Sequence, residues 1–143
     1  MPHYLIHYDG LCEPANPNGY ACFGVVAYQE GQEVYTAASL IGVGQGMSNN
    51  VAEYEALRHA LQYATEHGWR GVEVRGDSKL TVEQVTGRWS VKAEHLQPYV
   101  TECRALLQAL GGSLGWVPRD RNERADELSR QAYTEARAAA SKR

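Results

Sequence analysis

Residues 48–77 read SNNVAEYEALRHALQYATEHGWRGVEVRGD, and their pattern decides the fold. Apolar residues at Val51, Tyr54, Leu57, Leu61 and Ala64 recur close to the helical period, so 50–66 is expected to be a helix. His67-Gly68 stops it, because glycine readily takes the left-handed conformation that closes helix C-termini. The short run 71–75 (GVEVR) follows as a strand. The alternation continues with a helix at 78–85, a longer helix at 93–110 ending at Gly111-Gly112, a strand at 113–117 and a last helix at 122–139. Strands separated by helices pair in parallel through right-handed crossovers.

The chain before this stretch is patterned differently. Residues 3–8 are apolar and aromatic and end at Asp9-Gly10, and a loop rich in Pro, Asn and Gly covers 13–19. Residues 20–28 are β-rich, Glu30-Gly31 turns the chain, and 34–41 forms a third strand before Gly42, Gly44 and Gly46 break it. Strands joined by short turns pair antiparallel. The expected fold is therefore α/β: a mixed five-stranded sheet, three antiparallel hairpin strands then two parallel strands, with helices packed on it. No repeat, linker or shift in composition marks a second domain, so 1–143 reads as a single domain with 137–143 as a frayed C-terminal tail.

Hydrophobic residues at 43% and charged residues at 22% are ordinary for a globular chain. No apolar run is long enough to span a bilayer, and MPHYLIHYDG lacks the basic start and apolar core of a leader, so a cytoplasmic location without membrane contact is expected. Cys12, Cys22 and Cys103 follow no CxxC spacing and are expected to be packed free thiols.

Four acids occupy positions that suit chemistry. Asp9 ends the expected first strand and Asp77 the fourth, where open α/β sheets place their ligands. Glu53 falls in the first turn of one helix and Asp126 in the first turns of another. Carboxylates brought together in this way suit hard cations such as magnesium, which complete their shells with water and substrate phosphates. Each acid also has a structural alternative. Asp9-Gly10 suits a turn, Asn50 and Glu53 a capping box, Asp77 a helix cap, and Asp126 an i,i+4 pair with Arg130.

The surrounding words decide between these readings. Asp9 sits in YDGLCEPANPNG, Glu53 in SNNVAEYEAL, Asp77 in GDSKL and Asp126 in WVPRDRNERADELSR. Together and in this order they resemble the four motifs of type 1 ribonuclease H, and they span nearly the whole chain. The resemblance implies a ribonuclease H-like fold and an endoribonuclease that cuts the RNA strand of RNA–DNA hybrids, leaving 5′-phosphate and 3′-hydroxyl ends. It implies two Mg²⁺ or Mn²⁺ ions bridged by Asp9, with Asp126 beside the ion that activates water and Glu53 and Asp77 beside the leaving oxygen. It also implies that Asn16, Asn49 and Asn50 contact RNA 2′-hydroxyls and that Ser48 contacts a DNA phosphate.

Two departures refine the resemblance. The bacterial branch carries a loop histidine before the fourth acid; here Arg119 occupies that stretch, as in the archaeal-type branch. A guanidinium neutralises a phosphate but cannot readily shuttle a proton. The basic handle of many relatives is also missing, because VTGRWSVKAEHLQPY offers only Arg88 and Lys92 as Lys or Arg, with Trp89 as an aromatic face for the DNA strand or a packing residue. The 17 acidic residues less these four leave 13 to set against 14 Lys and Arg, which argues against a broad basic face. His7, on the strand face of Asp9, is expected to be packed. Double-stranded RNA is a second substrate the resemblance admits. The chain is expected to act as a monomer with no obligate protein partner. The alternative is a weak or inactive hybrid-binding domain of a larger protein, which the presence of all four acids disfavours.

Overall fold

The computed structural model describes residues 2–142. Five strands, β1 (Tyr4–Glu13), β2 (Tyr20–Gln29), β3 (Gln32–Val43), β4 (Glu73–Gly76) and β5 (Ser113–Trp116), form one sheet in the order β3-β2-β1-β4-β5. β1, β2 and β3 pair antiparallel, whereas β4 pairs with β1 and with β5 in parallel. This is the expected α/β architecture.

The helices are α1 (Asn49–Glu66), α2 (Lys79–Val85), α3 (Gln97–Leu110) and α4 (Glu123–Ser141). α1 packs on β1 and β2 and carries α3 on its outer side, while α4 crosses β1, β2 and β3. The main core lies under α1 and includes Ile6, Tyr8, Val25, Tyr54, Leu57, Leu61, Val72 and Val74, all fully buried. Under α4 the packing is smaller in scale: Leu11 and Cys22 meet Ala132, and Val26 meets Ala125 and Leu128. All three cysteines are free and buried.

Several boundaries differ from expectation: β3 runs through Gly42, paired with Ala21, to Val43, and β4 is shifted to Glu73–Gly76. The first strand does not stop at residue 8; it runs through Asp9 and Gly10 to Glu13, because β2 stays paired with it as far as Glu13 opposite Tyr20. Asp9-Gly10 is therefore strand, not turn. The helix expected at 93–110 begins as a separate 3-10 turn, Glu94–Leu96, and α3 proper carries Pro98 in its first turn, where a missing N–H leaves no hydrogen bond unmade. The last helix holds to Ser141; of the tail 137–143, Arg143 lies outside the described residues. Among the described residues no helix is long and apolar enough to cross a membrane.

Candidate active site

Pairing of β1 with β4 ends at Tyr8 opposite Gly76, so Asp9 and Asp77 are each the next residue beyond the last parallel pair. β1 continues alone on that side, and the opening beside it is where the acids gather. Two glycines let helices from both faces reach it. A Cβ on Gly10 would lie 2.4 Å from the backbone of Ala52 and Glu53, so only glycine admits α1 this closely. Gly24, opposite Asp9 in the β1–β2 register, plays the same part for α4: a Cβ there would lie 2.3 Å from the Ala125 carbonyl and 2.7 Å from the Ser129 nitrogen.

Asp9, Glu53 and Asp77 each offer a carboxylate oxygen, and the three atoms lie within 4.8 Å of one another. Asp126 borders Asp9 but stays outside that triangle, with its carboxylate paired to Arg130 Nε at 3.3 Å. The four acids share a cavity of about 260 Å³ with Glu13, Asn49, Ser78, Arg119 and Arg130.

The competing structural duties can now be sorted. Ser48, not Asn50, caps α1, accepting from the Val51 amide at 3.1 Å, so Glu53 lies past the position a capping box would use. Ser78, not Asp77, caps α2. The Asp126–Arg130 pair is present. Glu53 is 2% exposed; its Oε1 accepts from the Gly10 amide at 3.1 Å, while its buried Oε2 has no hydrogen-bond partner. A buried carboxylate oxygen without a donor is costly unless something else satisfies it.

Burial dominates the electrostatics. It pushes Asp9 up to about 7, with the neighbouring Glu53 carboxyl opposing the rise and Asp77 and Asp126 adding to it. Burial, and then the charge of Asp9, holds Glu53 well above the usual carboxylate range. Such a crowd of acids favours a divalent cation, and the orphaned Oε2 is an oxygen such an ion would satisfy, so the residues fit a Mg²⁺-like group.

The other expected residues fall in three places. Asn49 and Arg119 line the acid cavity, Arg119 on a 3-10 turn (Arg119–Arg121) and with no ion pair among the described residues. Asn16, Ser48 and Asn50 line an adjoining groove with Met47 and His95, and Asn16 Oδ1 accepts from the Asn49 amide at 2.9 Å. Trp89 lies apart, 46% exposed, in a shallow depression with Gln97 and Arg104. His7 is packed edge-on against Tyr28, and burial, then Arg75, lowers its pKa.

Sequence reasoning passed over Asn122. It is fully buried, and its amide donates to the Tyr8 carbonyl at 2.9 Å and to Asp77 Oδ2 at 3.1 Å, tying β1 to the site carboxylate. An asparagine just ahead of a helix reads as a cap, yet this one makes no side-chain cap bond. The signal was its place inside the fourth motif. Glu13, Arg130 and His95 were likewise not singled out as site residues.

A family model described as reverse transcriptase-like matches residues 7–132, which defines the class. Ribonuclease HI of the archaeon Halobacterium salinarum is 36% identical over 131 residues, covering 91% of this chain and 64% of that protein. The N-terminal RNase H domain of Rv2228c from Mycobacterium tuberculosis superposes with a TM-score of 0.86 at 33% identity, covering 98% of this chain and 99% of that domain. LC11-RNase H1, solved in complex with an RNA/DNA hybrid, superposes with a TM-score of 0.83 at 34% identity, covering 93% of this chain and 98% of that one. The chain belongs to the type 1 ribonuclease H family. It spans just under two thirds of the full halobacterial protein and 33% of the full mycobacterial bifunctional protein.

Proposed function

We propose that this chain is a metal-dependent endonuclease that hydrolyses the RNA strand of RNA–DNA hybrids. The observation that carries the reading is the triangle of Asp9, Glu53 and Asp77 oxygens within 4.8 Å, one flank of it ending in an unpartnered buried oxygen. Asp9, Glu53, Asp77 and Asp126 would hold two Mg²⁺ or Mn²⁺ ions. Bound there, such ions supply Lewis-acid stabilisation of charge on a phosphodiester and a lower pKa for the attacking water.

The chain's own residues supply the rest. Asn49 in the cavity and Asn16 and Asn50 in the adjoining groove present amide groups suited to the 2′-hydroxyls that distinguish RNA from DNA. Ser48, in the same groove, would contact a DNA phosphate, with its hydroxyl also accepting from Val51. Arg119 faces the acids with a permanent charge suited to the scissile phosphate. Trp89 offers its exposed ring to the DNA strand at a distance from the acids. The expected products carry 5′-phosphate and 3′-hydroxyl ends, and the enzyme is taken to work as a cytoplasmic monomer without an obligate protein partner.

The test is cleavage of an end-labelled hybrid with Mg²⁺ and with Mn²⁺, comparing wild type with Asp9→Asn. The variant is expected to lose more than about a hundredfold in rate, the scale of removing one electrostatic contributor to a transition state. Equal rates would defeat the proposal. Double-stranded RNA, run in parallel, tells whether the 2′-hydroxyl contacts suffice when both strands carry them.

A further inference from the structure

The two arginines of the cavity are not equivalent. Arg119 makes no ion pair among the described residues, whereas Arg130 is committed to protein carboxylates on both sides. Its Nε lies 3.3 Å from the Asp126 carboxylate one helical turn earlier on α4, and its Nη1 lies 3.4 Å from Glu13 Oε1 at the end of β1. Both partners line the acid cavity. Asp126 is also the one acid of the four outside the three-oxygen triangle. The side chains of Glu13, Asp126 and Arg130 are all partly exposed, at 39%, 35% and 54%, so the pairings are weak enough to exchange.

We propose that Arg130, tethered by Glu13, is a positioning residue that holds Asp126 at the rim and thereby sets how readily the fourth carboxylate joins the cation site. The inference rests on the metal-site reading above. An incoming cation must compete with the guanidinium for the Asp126 oxygens. The contest is not resolved by pH, because arginine stays protonated throughout the working range. Glu13 supplies the second anchor: once Asp126 lets go, Arg130 still has a carboxylate to pair with at the end of β1. Asp9, Glu53 and Asp77 would then form a first, tighter cation site, and Asp126 would contribute to a second, weaker one whose strength Arg130 governs.

The experiment is Mn²⁺ binding to the substrate-free protein, read by calorimetry and by the electron paramagnetic resonance of free Mn²⁺. Arg130→Gln is expected to tighten the weaker binding step by about twofold to fivefold, the fold-change that an exposed ion pair represents. The tighter step should stay within error. In an Asp126→Asn background the same change at Arg130 should have no effect, since there is no carboxylate left to release. Persistence of the tightening in that background would reduce Arg130 to a remote charge and overturn the proposal, as would an unaltered weak step in the single variant. Arg130→Lys keeps the charge but loses the guanidinium fork, and partial tightening is expected; it also serves if the glutamine variant fails to fold, as judged by its melting transition in EDTA. Uptake of no Mn²⁺ by the wild type would overturn the cation reading itself, and this inference with it, a result distinct from binding that ignores Arg130.

Discussion

The two flanks of the carboxylate cavity are built on opposite terms. On the α1 flank Glu53 is buried, bonded to a strand amide and short of one partner. On the α4 flank Asp126 is half-exposed and doubly engaged by a surface arginine that is itself shared. Both helices are seated equally tightly, each over a glycine that admits no Cβ. The difference therefore lies in the side chains. One flank is set when the protein folds, at the cost of an electrostatically crowded interior, and the other is set by pairings that a ligand can exchange.

The largest effect should come from the seating itself. Gly10→Ala drives a methyl into the α1 backbone and Gly24→Ala drives one into α4, and neither backbone can step aside. Each is expected to lower stability by about 3 kcal/mol in urea unfolding. A loss confined to Gly10→Ala would mean that α4 is the more loosely held helix.

Next come the acids themselves. Glu53→Gln should stabilise the metal-free protein in urea unfolding once pH exceeds the ordinary carboxylate range, because glutamine still accepts from Gly10 and removes a buried carboxyl held well above that range. Asp126→Asn should change stability by less than about 0.5 kcal/mol, as expected of an exposed pair. Equal effects would erase the contrast between the flanks.

The same contrast can also be read across pH. Asp9 has a folded-state pKa of about 7 against an ordinary 3.8, so between these values the folded chain binds more protons than the unfolded one. Its contribution to stability is therefore greatest below about pH 4, declines as pH rises through 7, and is level above that. In EDTA the melting temperature of wild type should fall across this window relative to Asp9→Asn. Added Mg²⁺ should raise it more at pH 8 than at pH 5.5, where protons compete for the same oxygens. A flat difference between the two proteins would show that Asp9 is not crowded.

Much of this was legible in the sequence because the acids sit in local words, and the helix-strand alternation after residue 48 places Asp77 and Glu53 without reference to distant contacts. What was not legible depends on packing across the fold. The true end of β1 is decided by how long β2 stays beside it, which 3–8 cannot reveal. The Asn16 carboxamide accepts from the Asn49 amide at the start of α1 from 33 residues away, a contact no local pattern reveals. Asn122 reads locally as a helix cap, and only the approach of α4 to β1 turns its amide toward Tyr8 and Asp77.

The strand that outruns its neighbour has a further consequence, for hydrogen exchange. Beyond Gly76 there is no β4 to bond the free edge of β1, and side chains take over: Asn122 donates to the Tyr8 carbonyl, and Glu53 accepts from the Gly10 amide. That amide is shared by two site carboxylates, Asp9 Oδ1 on its own strand at 2.9 Å and Glu53 Oε1 from α1 at 3.1 Å, and not held by a sheet ladder. Its exchange rate should follow the docking of α1 and the occupancy of the acids, while amides a few residues earlier on the same strand follow global unfolding. A single backbone proton at Gly10 thus reports, independently of any turnover, whether the site is assembled.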